Sequence, residues 1–148
     1  MNEKTMKIFH WTALGIMALI LLLQFVPFWS TPEGGVSINS YVWFPHQNEA
    51  LTEQFRTVFG ADFYLNDAFV VGPVVQTVLC ILALCLFKKR DIFTASLQLF
   101  AGLAGVLSLA LQPALRMGSV WFLLLLASTL LMIAAIPLLT EAIRRKLA

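Results

Sequence analysis

Gln24 lies three residues before Pro27, Gln76 three residues after Pro73, and Gln112 directly before Pro113. All three glutamines stand in or at the edge of long apolar runs, where an amide has few polar neighbours. A proline inside a helix removes one backbone hydrogen bond and leaves a carbonyl without its donor. The NH2 of a glutamine can replace that donor. One chemistry for the set is therefore structural: each amide repairs a kink or bridges two helices, at about 0.6–2 kcal/mol per interhelical contact. The other is an outward-facing polar vestibule lined by Gln24, Gln76 and Gln112, with Arg116 at its rim. The structural reading is favoured, because polar side chains commonly hold helices together in lipid.

Other constellations carry less. His46, Glu49 and Glu53 have i, i+3 and i+7 spacing, but no second histidine joins them. A solvated acidic face accounts for them better than a metal site. His10 stands beside Trp11 near the start of the first apolar run, the place of an interfacial histidine. Between Cys80 and Cys85 a helix turns by about 140°, so the two thiols point apart, and no Cys-x-x-Cys occurs. There is no Gly-x-Ser-x-Gly elbow, no His-Glu-x-x-His and no phosphate-cradling glycine loop. No nucleophile–base or metal-ligand set can be assembled. The expectation is a protein that is not an enzyme and uses no cofactor or metal.

The elements that hold these residues are read from hydropathy. The 148-residue chain is 59% apolar and 12% charged, with a mean hydropathy of +0.84; soluble domains run at roughly 45–50% and about 25%. Residues 8–28, 68–87, 92–112 and 119–140 form four apolar runs, each close to the ~20 residues that cross about 30 Å of hydrocarbon. Their interiors contain no Asp, Glu, Lys or Arg, the usual marks of proton relays and ion-coupled transport. The first run exceeds the about 7–15 residues of a signal core, and bulky Pro27-Phe28-Trp29 follows it, so it reads as an uncleaved helix. Asp67 is expected to cap the second run. In the third, Ala101/Gly105 and Ala104/Ser108 are small-xxx-small pairs that let backbones approach, making it the expected packing centre.

Charge orients these runs. Lys88-Lys89-Arg90-Asp91 separates the second from the third and is too polar to cross a bilayer. Lys4, Lys7, Lys88, Lys89, Arg90, Arg144, Arg145 and Lys146 fall in three blocks that four crossings put on one side. Arg56 and Arg116 fall on the other, with Glu33, Glu49, Glu53, Asp62 and Asp67. The positive-inside rule then gives a multi-pass protein of the plasma or bacterial inner membrane, both termini cytoplasmic, with loop 29–67 outside. The cations read as topology determinants beside anionic lipid rather than as a nucleic-acid surface.

Within that loop, Pro32-Glu33-Gly34-Gly35 is a turn signal, and the alternation over 36–44 predicts a strand in a hairpin with residues 27–31. Asn48 and Gly60 bracket a short amphipathic helix whose Leu51, Phe55, Val58 and Phe59 share a face. That face is expected to pack over the chain's own helices. The aromatics Phe28, Trp29, Tyr41, Trp43, Phe44 and Phe55 form an interfacial belt with a small core, or, in the sharper reading, a contact surface for a partner.

Four crossings with a strand-bearing first outer loop resemble the claudin-like tetraspan proteins in topology. The Gly-Leu-Trp and paired cysteines of that family's loop are absent beside Trp29 and Trp43, so barrier function does not carry over. The segments Gln24-Phe25-Val26-Pro27-Phe28-Trp29 and Tyr41-Val42-Trp43-Phe44-Pro45 resemble those of small four-span proteins of Gram-positive bacteria, a likeness that brings no activity with it. The expected architecture is an all-α membrane protein: a four-helix transmembrane bundle with an extracytoplasmic β-hairpin and short helix between the first two crossings. The expected role is an accessory, assembly or sensing subunit acting through contacts with a membrane-protein partner or a second copy. The alternative is a subunit of an oligomeric transporter or channel using the vestibule.

Overall fold

The computed structural model describes residues 1–31, 34–38, 48–61, 67–111 and 118–148. Asn2 starts the first helix, α1 (Glu3–Leu23), by accepting a hydrogen bond from the Thr5 amide at 2.8 Å. Glu3 sits in the first turn, against the positive end of the helix dipole. The helix therefore begins ahead of residue 8, where the apolar run starts, and stops at Leu23 rather than at 28. The stop has a physical cause. Gln24 is the last residue to bond back helically, Phe25 and Val26 close tighter turns onto the Leu22 and Leu23 carbonyls, and Pro27 has no N–H to continue. Residues Pro27–Thr31 (β1) instead pair antiparallel with Gly34–Ser37 (β2), Trp29 opposite Val36. Residues 39–44, the rest of the expected strand, lie outside the described residues.

The short helix α2 (Asn48–Phe59) ends where Gly60 turns to φ 114° and its N–H bonds the Arg56 carbonyl at 2.9 Å. Only glycine adopts that backbone without strain. Helices α3 (Asp67–Cys85), α4 (Ile92–Ala110) and α5 (Ser119–Leu147) complete the chain. The side chain of Asp67, expected to cap α3, is outside the described set. Asp91 caps α4, accepting from the Thr94 amide at 2.9 Å.

Three helices, α1, α4 and α5, are long and apolar enough to cross a membrane; the described apolar stretch of α3, Val71–Cys85, is shorter. At ~1.5 Å per residue α5 runs ~44 Å, beyond the ~30 Å of a hydrocarbon core. Its last turn is basic, with Arg144, Arg145 and Lys146. Helix α4 packs most extensively against α5 and α3, while α1 packs on α5 and then α3, so the four long helices close into a ring. Of the expected small residues, Ala101, Gly105 and Ser108 are buried and Ala104 is half-buried, and Gly102 is buried with them. A Cβ on Gly102 would lie 2.8 Å from the Ser128 carbonyl oxygen, which measures how near the α4 and α5 backbones come.

The helix directions bring three segments to one end of the molecule. The Met1 amine lies 3.2 Å from Glu141 of α5, and His10 lies 2.6 Å from the Phe87 carbonyl that follows α3. The basic stretch 88–90 and the basic turn of α5 thus share an end with the N-terminus. Trp121, at the start of α5, donates its indole N–H to the Leu109 carbonyl near the end of α4, at the opposite end.

Candidate functional site

Gln24 and Gln76 meet. They are 1% and 2% exposed, and Gln24 Nε2 donates to Gln76 Oε1 at 3.1 Å. Gln24 Oε1 accepts from the Thr77 hydroxyl at 2.6 Å. Both hydrogens of the Gln76 amide are taken up on other helices, by the Ala101 carbonyl of α4 at 3.1 Å and the Ser128 hydroxyl of α5 at 2.9 Å. One pair of amides therefore ties α1, α3, α4 and α5 together at a single level. Gly105 makes room for it: a Cβ there would run into Gln76 Nε2 and the Ser128 hydroxyl. Buried polar groups without partners cost about 1–3 kcal/mol each; here each amide nitrogen and oxygen of Gln24 and Gln76 has a partner, with one hydrogen of Gln24 left over.

Of the two structural roles expected for the glutamines, bridging is the one present. Pro27 lies in β1, so Gln24 faces no helix proline, and near Pro73 the single Thr77 hydroxyl hydrogen is shared between Gln24 Oε1 and the Pro73 carbonyl, 2.7 Å away. Gln112 and Arg116 lie outside the described residues. Thr77 and Ser128 were missed from sequence. Their signal was available, since a hydroxyl deep in an apolar helix looks for a partner on a neighbour.

A second polar group lies at the basic end. Glu141 is 6% exposed and receives the Met1 amine at 3.2 Å, Arg144 at 3.0 Å and Arg145 at 3.2 Å. The hydrogen bond from Arg144, then those from Arg145 and the amine, hold its carboxyl down at about 2. The Thr94 amide likewise lowers Asp91, helped by its hydroxyl and by Lys89. His10 is 3% exposed, and its Nε2 donates to the Phe87 carbonyl at the basic end. Trp11 packs on the Phe87 ring, and the Lys88 ammonium lies 5.6 Å from its centroid. Gln98 lies deeper. It is fully buried, neither amide atom has a protein partner, and it borders a cavity of about 10 Å³ that Met6, His10 and Thr94 also line.

The aromatic surface needs a correction. Phe55 is 0% exposed, with its ring 5.0 Å from that of Trp29 and 6.2 Å from Phe59. It belongs to the chain's own core and presents nothing to a partner; Val58, expected on the same face of α2, is exposed instead. The reason is the partly buried Trp29 on β1, which supplies the face against which α2 closes. Tyr41, Trp43 and Phe44 lie outside the described residues, as does His46. Glu53 pairs with Arg56 at 2.7 Å on the exposed side of α2. Among the described residues no group of three His, Cys, Asp or Glu could hold a metal.

The class these features define is a helical protein with at least three helices able to cross a membrane, clasped by buried amides and cationic at one end. No protein-family model, no curated protein and no solved structure matches the chain.

Proposed function

We propose that this chain is a small integral membrane protein that crosses the bilayer four times and acts through contacts, as an accessory, assembly or sensing subunit, and catalyses no reaction. Both termini and the Lys88-Lys89-Arg90 stretch face the cytoplasm, and the β-hairpin and α2 face the opposite side. The observation that carries the reading is the Gln24–Gln76 clasp, whose amides are taken up by Thr77, Ala101 and Ser128 of the same chain. A site for a transported solute needs polar groups with capacity left over, and these have almost none. The outward faces supply the contacts. Leu22, Phe93, Phe100, Phe122 and Ile133 are exposed along the helices, and they suit lipid, a membrane-protein partner or a second copy.

Replacement of all three glutamines (Gln24→Leu, Gln76→Leu, Gln112→Leu) tests the assignment. The expected result is a loss of roughly 1–3 kcal/mol of stability in detergent, from partners left unpaired, with solute permeability of reconstituted vesicles equal to wild type. A wild-type vesicle that carries a specific solute flux, abolished in the variant at unchanged stability, would replace this reading with the vestibule.

A further inference from the structure

A groove of about 710 Å³ opens at the basic end between the start of α4 and the last turns of α5, within the size range of small-molecule sites. Its rim is cationic. Arg90 comes from the stretch before α4, and Arg145 and Lys146 from α5. Among the described residues neither Arg90 nor Lys146 has a carboxylate partner. Arg145 engages Glu141 through Nε, and among the described residues its two terminal nitrogens have no carboxylate partner, leaving donors for another anion. One carboxylate, Asp91, also borders the groove, but its charge is directed at the Thr94 amide and hydroxyl. With Glu141 set against Arg145 and Asp91 counted as well, the three cations leave one positive charge, the match of a single phosphodiester.

Beside these charges the lining is mostly apolar, with Ile92, Phe93 and Ala142 next to Ser96. Phe93 is 61% exposed, and Phe100, two turns further along α4, is exposed on the same face. A soluble anion gains nothing from such a lining. An amphipathic one gains from both halves, phosphate on the cations and acyl chain along Phe93 and Phe100. The groove also sits where α5 outruns the hydrocarbon thickness, the depth of a headgroup. We propose that this groove binds an anionic phospholipid of the cytoplasmic leaflet, its phosphate held by Arg90, Arg145 and Lys146. The proposal rests on the membrane reading above.

The test uses full-length protein in nanodiscs and measures enrichment of phosphatidylglycerol over phosphatidylcholine in the lipid retained after delipidation. Wild type is expected to retain phosphatidylglycerol selectively, and inorganic phosphate added at constant ionic strength is expected not to displace it. The double variant Arg90→Gln/Lys146→Gln, both exposed positions, is expected to lose that selectivity roughly tenfold or more. Lys4→Gln/Lys7→Gln, which removes the same charge from α1, is expected to keep it. Equal retention of both lipids by wild type, equal loss in the two variants, or displacement by free phosphate each overturns the site. Carbonate extraction separates the two levels: a wild type that stays in membranes yet shows no selectivity fails the groove alone, and one released by carbonate fails the membrane reading.

Discussion

Gln76 and Gln98 are chemically identical, both buried, and opposite in consequence. Every polar atom of the Gln76 amide is bonded; neither atom of the Gln98 amide has a protein partner. A buried amide without partners carries its desolvation cost uncompensated, about 1–3 kcal/mol. Gln98→Met keeps the length of the side chain and removes that cost, so it is expected to raise the melting temperature in detergent, where Gln76→Met lowers it. Glu141 gives the pH dependence. Its carboxyl lies at about 2 in the folded chain, below its ordinary 4.5, so its contribution is complete above about 4.5 and is lost as pH falls toward 2. The melting-temperature gap between wild type and Glu141→Gln is accordingly expected to be wide at pH 7 and to narrow by pH 3.

At the scale of the element, glycine separates helices that must touch from those that need not. A Cβ on Gly105 would meet the Gln76 amide and lie 2.8 Å from Ser128 Cβ, whereas a Cβ on Gly15 of α1 meets nothing within 4 Å. Gly105→Ala is expected to destabilise by about 1–3 kcal/mol through overpacking, and Gly15→Ala to be neutral or to stabilise by up to about 1 kcal/mol through helix propensity. Both are read by thermal unfolding in the same detergent. The elements were legible to different degrees. Helix α4 begins at Ile92 and α5 at Ser119, as the hydropathy boundaries predict. Helix α1 does not follow its apolar run, because hydropathy is blind to the Asn2 cap at one end and to the strand pairing of Pro27–Thr31 at the other.

For the whole molecule, the arrangement of ends is the fact with the widest reach. Met1 on Glu141, His10 on Phe87 and the Arg90–Lys146 groove place the three basic blocks together, the arrangement that the proposed cytoplasmic orientation of that end requires. With Cys80 and Cys85 replaced by alanine, Gln47→Cys is expected to react with a membrane-impermeant maleimide on intact cells, and Lys89→Cys only after the membrane is opened. The reverse pattern would invert the orientation.

Apolar length and the spacing of charge were decided by the order of residues alone, because a bilayer acts on each segment separately and needs no knowledge of its neighbours. The same holds for the small residues of α4, whose lack of bulk marks a close contact whichever helix arrives. Which amide would be satisfied was not decided there. Gln24, Gln76 and Gln98 are alike as letters, and their fates depend on the rotation of each helix about its axis and on the chance of a Thr77, Ser128 or open carbonyl at the same depth. Phe55 passed from candidate surface to core for the same reason: burial belongs to the packed chain, and Trp29 had first to be carried over it by a strand.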